Sequence, residues 1–528
     1  MSNHAYESAA ALRPSSNGPI PISTLCERFS LAPASAEDAA ALNDLSILGV
    51  SVDSGDTAPG ELFVGLPGFT VHGARFAADA VASGAVAVLT DADGAQIVHQ
   101  TAPGTPVLVH SDPRAFVGPL SAEVYHHPAR GLVTTAVTGT NGKTTTAYFL
   151  DAILSAHVGG CMVAGTVELR VGERSVESPR TTVEAPVLQR MMALAVEDKV
   201  GAASLEASSH AIVLHRLDGI VVDVAGFTNL QRDHLDFHKT MEGYLEAKAQ
   251  LFTPEHARRG VVCVDDQWGA ALAAEAPIEI DRVRAYPGET PADWWVSDAA
   301  VSLTDSATTF ILHGPDGEKI EASCPLPGLV NVQNAALALV MAIRAGVPAA
   351  TAAAALAGAH NIPGRMQRIS QRDGRRGLCI VDFAHTPDAM ELALKAVRPI
   401  TPGRLIVVFG SDGDRDQGKR PMLGEVCARL ADVLVVTDEN PRSEDPQLIR
   451  NAILEGVRGV RPDLTDVEEI TTWRGDAVRR GVELCGPDDT VIVTGKGHEP
   501  FLEMAGEFIR YNDAPVMAEA VEEKWGRA

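Results

Sequence analysis

The sequence predicts an α/β protein of three domains, each built on a largely parallel sheet. Three observations carry that expectation. The chain has 528 residues, more than one ordinary core accommodates. Short β-branched runs alternate with longer helical stretches, the rhythm of βαβ units. Two breaks interrupt the rhythm, at residues 127–131 and at the turn sequence NIPGR, residues 361–365. The expected domains are therefore 1–129, 130–361 and 362–528.

In the first domain, residues 1 to about 20 are small and polar, a composition that favours disorder. GELFVGL (60–66) and VAVLTD (86–91) read as strands around the helical FAADAVASGA. The second domain opens on the strand LVTTAVTG and closes with two Ala-rich helices, NAALALVMAIRAG and ATAAAALAGAH. The third begins with a strand (GLCIVDFAH), a helix (DAMELALKAV) and a second strand (RLIVVFGS). ADVLVVTDENP and DTVIVTGKGHEP follow, each an apolar strand ending in a charged loop. This third block reads as Rossmann-like, and in such sheets ligands gather beyond the carboxyl ends of the strands.

Composition narrows the function classes. The chain is 45% hydrophobic and 21% charged, as soluble globular proteins are. Its formal charge of −25, from 44 basic and 69 acidic residues, argues against nucleic acid and anionic membranes as partners. The seven cysteines (Cys26, Cys161, Cys263, Cys324, Cys379, Cys427 and Cys485) include no C-x-x-C pair. Neither a disulfide framework nor a zinc site is indicated, and reduced thiols are expected. No signal peptide and no membrane-length apolar run is visible. A cytoplasmic monomer acting on small molecules is the expectation.

The sharpest motif follows the strand at Val133. VTTAVTGTNGKTTTAYFLDAIL reads strand, glycine turn, lysine, hydroxyls, helix. Backbone N–H groups of such a turn cradle phosphate at a helix N-terminus. Gly139, Thr140, Asn141, Gly142, Lys143, Thr144 and Thr145 thus form a candidate ATP loop, with Lys143 for the β- and γ-phosphates and the Thr144 hydroxyl for Mg²⁺. The loop is shorter than the general P-loop, with only Thr140 and Asn141 between its glycines. Downstream, Glu206 ends the strand-like ASLE and can partner a P-loop magnesium ion. Asp233, His234, Asp236 and His238 are ligand-type residues whose spacing fits a metal site or capping and turn roles equally.

Taken together, these segments resemble the Mur ligase superfamily, which includes folylpolyglutamate synthetase, and within it the UDP-N-acetylmuramoyl-tripeptide synthetases. The resemblance rests on TGTNGKTT, EASSHAIVLHR, FTNLQRDHLDFH, YLEAK, NVQN, PGRM, DFAHTPD and GDRDQGKR. These occur in the family's order and span most of the chain. It implies a UDP-substrate domain, a central P-loop ATPase-type domain and a Rossmann-like amino-acid domain. It further implies that Lys143, Glu206, His234 and Lys248 are catalytic, and that Thr144, Glu206, His234 and Lys248 hold Mg²⁺. Lys248 would be N6-carboxylated, since an ammonium cannot ligate a metal. Asn331, Asn334, Arg365 and Asp382 would complete the ATP site.

The resemblance also assigns the substrates. Val52, Ser54, Phe69, Thr70 and Val71 would contact the UDP-sugar, although Asp53-Ser54-Gly55 replaces the family's D-S-R. Thr181, Thr182, Ser208 and Arg216 would take the dipeptide and pyrophosphate. Arg415, Glu439, Asn440, Pro441, Arg442, Gly495 and Glu499 would take the incoming diamino acid. The family's meso-diaminopimelate signature is D-N-P-R with G-x-x-x-E, against E-N-P-R and G-K-G-H-E in this chain. Arg415 and Arg442 would hold a distal carboxylate in forked geometry, and Glu499 a distal ammonium. The implied reaction is ATP-dependent amide formation through an acyl phosphate, adding meso-2,6-diaminopimelate to UDP-N-acetylmuramoyl-L-alanyl-D-glutamate for peptidoglycan. L-lysine or L-ornithine is the alternative acceptor, and a P-loop switch that binds a partner protein is the reading from another class.

Overall fold

The computed structural model describes residues 11–302, 307–359 and 362–526. The chain forms two compact units. The first runs through Trp295 and takes in 314–317 and 335–355; the second comprises 296–313, 318–334 and the chain from Leu356 onward. The break expected at residue 361 falls outside the described residues.

In the first unit, a five-stranded sheet has the order Ala32–Pro33, Val107–Val109, Ala87–Thr90, Glu61–Val64, Gly49–Ser51. All its pairings are parallel except the first. Its strands are short apolar runs, and Val50, Leu62, Val64 and Leu89 meet Leu120 and Val124 in one core. The central sheet places Val133–Thr138 between Ala202–Glu206 and Val222–Phe227, parallel to both. Being central, that strand is buried along nearly its whole length, its three threonines included. The sheet continues through Ala257–Cys263 and Glu279–Arg284 on one side and Cys161–Ala164 on the other. Both faces of the sheet are covered by helices, among them Lys143–Val158 and Ala185–Glu197.

The second unit holds a six-stranded sheet ordered Gln367–Ser370, Leu378–Val381, Thr490–Val493, Leu405–Phe409, Val433–Val436, Val467–Glu469, with one antiparallel edge. Four of these strands are fully buried β-branched runs, as parallel strands between helices must be. Helix Pro387–Val397 begins under a Thr386 cap with proline in its first turn, the favoured start for a helix. A hairpin, Phe501–Met504 with Glu507–Arg510, follows the last parallel strand.

Composition predicts disorder to about residue 20; residues 1–10 lie outside the described residues, and within 11–20 Leu12 and Ile20 are buried while Ala11, Ser15, Ser16, Gly18 and Pro19 are exposed. Leu12 is fully buried in the central core, and Arg13 bonds to Asp56 and Glu61. One leucine and one paired arginine outweigh a polar average, because burial acts residue by residue. All seven cysteines are unbridged. Among the described residues, no helix is long and apolar enough to cross a membrane.

Candidate active site

The phosphate loop leaves the buried strand Val133–Thr138 and feeds helix Lys143–Val158. Gly139 has φ 143°, and a Cβ there would lie 1.9 Å from Thr228 Oγ1, so only glycine fits. Gly142 (φ 90°) caps the helix with no side-chain acceptor, leaving the first-turn N–H groups for an anion. Thr145 is buried in that turn.

The segment after strand Val222–Phe227 braces the loop with uncharged contacts. Thr228 Oγ1 donates to Asn141 O at 2.6 Å, and Asn141 Nδ2 donates to Gln231 Oε1 at 2.7 Å. Asn141 N donates to Asn229 Oδ1 and Gln231 N to Thr140 Oγ1. Lys143 folds over its own loop, its Nζ 3.0 Å from Gly139 O and 2.9 Å from Thr140 O.

Two ionisable side chains flank this loop. The buried Glu206 carboxylate accepts from Thr144 Oγ1 at 3.0 Å. It also accepts from Thr166 N at 2.8 Å and Thr166 Oγ1 at 2.9 Å. Lys248, 1% exposed, places Nζ 2.8 Å from Gly139 O and over the Tyr244 ring. Burial, with Lys143 nearby, pulls its amine well below the ordinary lysine range. Tyr244 also approaches Thr140 Oγ1 at 3.4 Å and lies edge-on to His234, 6.1 Å between centroids. His234 sits in the left-handed region (φ 53°), and burial lowers its pKa. His210 packs against His234, Phe237 and His238.

A hydrogen-bonded path runs onward from Glu206. Its main-chain oxygen accepts from Thr182 Oγ1 at 2.7 Å, and Thr182 Oγ1 accepts from Ser208 N at 3.0 Å. Thr181 Oγ1 is 3.2 Å from Thr166 Oγ1. Arg216 donates to Thr182 O at 3.1 Å and pairs with Glu184, which Arg180 also holds. The expected dipeptide set is thus contiguous with the phosphate loop. Thr166 and Glu184 belong to it and went unread. Thr166 lies just past the apolar strand Cys161–Ala164, after Gly165, the strand-end position that marks the other site loops.

Elsewhere in the first unit, Val52 and Ser54 are half-buried beyond strand Gly49–Ser51. Phe69 is 91% exposed, with Thr70 and Val71 also open to solvent. His72 anchors that loop: its Nδ1 accepts from Ala74 N, and its Nε2 lies 3.0 Å from Asp91.

In the second unit, Asn331 is buried and donates to Pro327 O. Asn334 is buried with no partner for its Oδ1 among the described residues. Arg365 lies over the Phe383 ring at 4.2 Å, and Asp382 accepts from Met366 N and Ala384 N. The loop expected to take the incoming amino acid, hereafter the acceptor loop, follows strand Val433–Val436. Glu439 is buried directly beneath Gly495, where a Cβ would fall 2.5 Å from Glu439 Oε2. Burial, reinforced by Asp412, pushes Glu439 up to about 8. Asn440 donates to Glu499 Oε2 at 3.0 Å, and Lys496 Nζ reaches both residues, at 2.9 and 3.0 Å. Pro441 lies against Gly413. Arg442 pairs with Glu503 at 3.1 Å, while Arg415 is exposed. Glu499 therefore carries an internal ammonium partner that the motif did not foretell. Lys496 lies inside the quoted G-K-G-H-E, so its type was visible but its direction was not.

Three family models match consecutive stretches of the chain. "Mur ligase family, catalytic domain" covers 46–125, "Mur ligase middle domain" 137–342 and "Mur ligase, glutamate ligase domain" 364–497. The chain belongs to the Mur ligase family. A relative from Streptomyces coelicolor, named UDP-N-acetylmuramoyl-L-alanyl-D-glutamate--2,6-diaminopimelate ligase, is 42% identical over 96% of this chain and 97% of its own. A Leifsonia xyli relative, named UDP-N-acetylmuramyl-tripeptide synthetase, is 42% identical over 95% and 96%. A solved structure of a UDP-N-acetylmuramoyl-L-alanyl-D-glutamate–2,6-diaminopimelate ligase superposes with TM-score 0.63 at 32% identity, covering 90% of this chain and 95% of that one. The three-domain architecture of Mur ligases is therefore the architecture of this chain, and its phosphate loop lies in the middle domain.

Proposed function

We propose that this Mur ligase uses ATP to join meso-2,6-diaminopimelate to UDP-N-acetylmuramoyl-L-alanyl-D-glutamate, a step in building peptidoglycan precursors. The observation that carries the reading is the unbroken path Thr144–Glu206–Thr182–Ser208 with Arg216 beside it. It joins a phosphate loop to a cationic patch suited to a substrate carboxylate.

In this reading, Arg216 and Arg180 exchange Glu184 for the anionic substrate and orient its D-glutamate carboxylate toward the loop. An oxygen of that carboxylate attacks the γ-phosphorus of ATP, the bond to the β-phosphate oxygen breaks, and an acyl phosphate and ADP result. The acceptor's amine, unprotonated, then attacks the acyl carbon, and phosphate leaves as the amide forms and the amine loses its proton. Lys143 turns from its own carbonyls to the phosphates and offsets their charge, while positioning does the rest.

The donor set suits Mg²⁺. Among the described residues no group of three or more His, Cys, Asp or Glu side chains forms a metal cage. A magnesium ion bound through a hydroxyl, one carboxylate and substrate phosphates needs none. Thr144 and Glu206 would hold one ion, His234 and Lys248 a second. A buried amine held below its ordinary range is largely neutral and nucleophilic toward CO₂, and the resulting carbamate supplies oxygen ligands. Bound Mg²⁺ neutralises charge on the transferring phosphoryl group.

Glu499, Asn440 and Arg442 would read the acceptor's distal amino acid centre. The test is ADP release from ATP with UDP-N-acetylmuramoyl-L-alanyl-D-glutamate and meso-diaminopimelate, L-lysine or L-ornithine supplied separately. Turnover only with meso-diaminopimelate is expected. Turnover with L-lysine instead moves the acceptor assignment, and ATP hydrolysis indifferent to the UDP substrate rejects the ligase reading.

A further inference from the structure

A buried charge cluster lies at the root of the loop that carries Ser54, outside the residues given a role in the proposed reaction. Asp56, 4% exposed, takes Arg190 NH1 at 2.9 Å and Arg13 NH2 at 3.3 Å. Glu61 takes the other arm of Arg13 and, through Oε2, the main-chain N–H of Ala58 at 2.9 Å. Arg190 comes from the central-domain helix Ala185–Glu197 and is 1% exposed. Arg13 comes from the N-terminal segment, which is itself secured at both ends. Leu12 is buried in the central core, and Asn17 Nδ2 donates to Leu48 O at 2.6 Å in the N-terminal sheet region. Between them, Ser15 N donates to Glu197 at 2.9 Å.

Two guanidinium groups and two carboxylates make the cluster neutral. A neutral, fully paired set is the form in which buried charges persist, and loss of one member leaves an uncompensated charge. The two carboxylates stand at the ends of one loop, 56–61, directly after the helical turn Ser54–Asp56. Their arginines come from a different domain and from a segment more than 40 residues upstream (Asp56 and Arg13 lie 43 apart). The turn holding Ser54 is therefore set by side chains remote from it in sequence.

We propose that Arg13 and Arg190 are positioning residues for the uridine-nucleotide end of the substrate, holding the Ser54–Glu61 loop in its binding form through Asp56 and Glu61. This rests on the reading that Val52 and Ser54 meet the UDP moiety. The cluster acts before binding, so its loss weakens capture of the nucleotide and leaves phosphoryl transfer alone.

The experiment compares Arg13→Ala, Arg13→Lys and the charge-balanced double variant Arg13→Met with Glu61→Gln in the full-length chain, each checked for cooperative melting. Arg13→Ala is expected to raise KM for the UDP substrate about tenfold, the size of one lost charge-assisted contact. KM for ATP and kcat stay within about twofold, and Arg13→Lys recovers only part of the affinity, because one charge remains but the fork that reaches Asp56 and Glu61 together is lost. Calorimetric binding of UDP alone weakens in parallel. The double variant, which leaves no buried charge unpaired, folds and still shows the raised KM. An unchanged UDP-substrate KM in the folded double variant overturns the proposal, as does an equal loss toward ATP. Wild-type enzyme inactive on the UDP substrate would instead refute the activity reading itself.

Discussion

The phosphate loop and the acceptor loop both leave buried parallel strands, Val133–Thr138 and Val433–Val436, yet they are held in opposite ways. The phosphate loop is braced largely by the neutral Thr228, Asn229 and Gln231, with the buried Lys248 amine on Gly139 O and the Glu206 carboxylate on Thr144. Glu206 meets that helix at the Thr144 hydroxyl, and Gly142 offers no side-chain cap to the first-turn N–H groups. The acceptor loop is braced by charge, with Arg442 on Glu503 and Lys496 on Glu499. In the proposed function, a diamino diacid would displace those partners.

The largest expected effect lies on the phosphate side. Glu206→Ala removes the acceptor of Thr144 and Thr166 together, and kcat/KM should fall on the order of 10²–10³-fold, as for loss of one preorganised electrostatic group. A loss below about tenfold in steady-state ADP release would detach Glu206 from the chemistry.

On the acceptor side, Glu499→Gln keeps the Asn440 contact but drops the charge. KM for meso-diaminopimelate should rise about ten- to a hundredfold, the range for a hydrogen bond to a charged group. KM for ATP should not move. A parallel rise in both would show that the two loops are not separate readers.

Glu439 separates the loops by pH. It is pushed up to about 8 from an ordinary 4.5, first by burial and then by Asp412. Between those values the folded chain keeps a proton that the unfolded chain has released, so the stability it supplies is lost as pH climbs toward 8. Wild-type melting temperature should therefore decline between pH 6 and about 9 more steeply than that of Glu439→Gln. Equal slopes would mean that Glu439 is charged and paired throughout. The smallest effect belongs to Phe69→Ala. Its ring is 91% exposed, so melting should be unaffected, and KM for the UDP substrate should rise about threefold through lost contact area.

The same contrast governs what could be read from residue order. The phosphate loop was legible because its chemistry is local: Gly139 to Thr145 adjoin one another and need only a strand before and a helix after. The pairing of Thr144 with Glu206 spans 62 residues, and a strand-end acidic residue was enough to find it. Thr166, Lys496 and Glu503 were not found as site partners, since hydroxyls and surface-type charges are common and nothing nearby marks which way they point. In the N-terminal segment, likewise, a polar average hides the contacts that Leu12 and Arg13 make.

Sequence alone determined the α/β alternation and the phosphate loop, because each follows from periodicity or from neighbours a few positions apart, while most other candidate residues came as what the resemblance to the Mur ligases implies. Tertiary structure alone decided that Lys248 is buried against Gly139 O, that Glu499 already has a cation, and that Arg13 reaches Asp56. Those facts depend on desolvation and on charges brought close across tens of residues. Both are properties of the folded volume, and no local pattern encodes them.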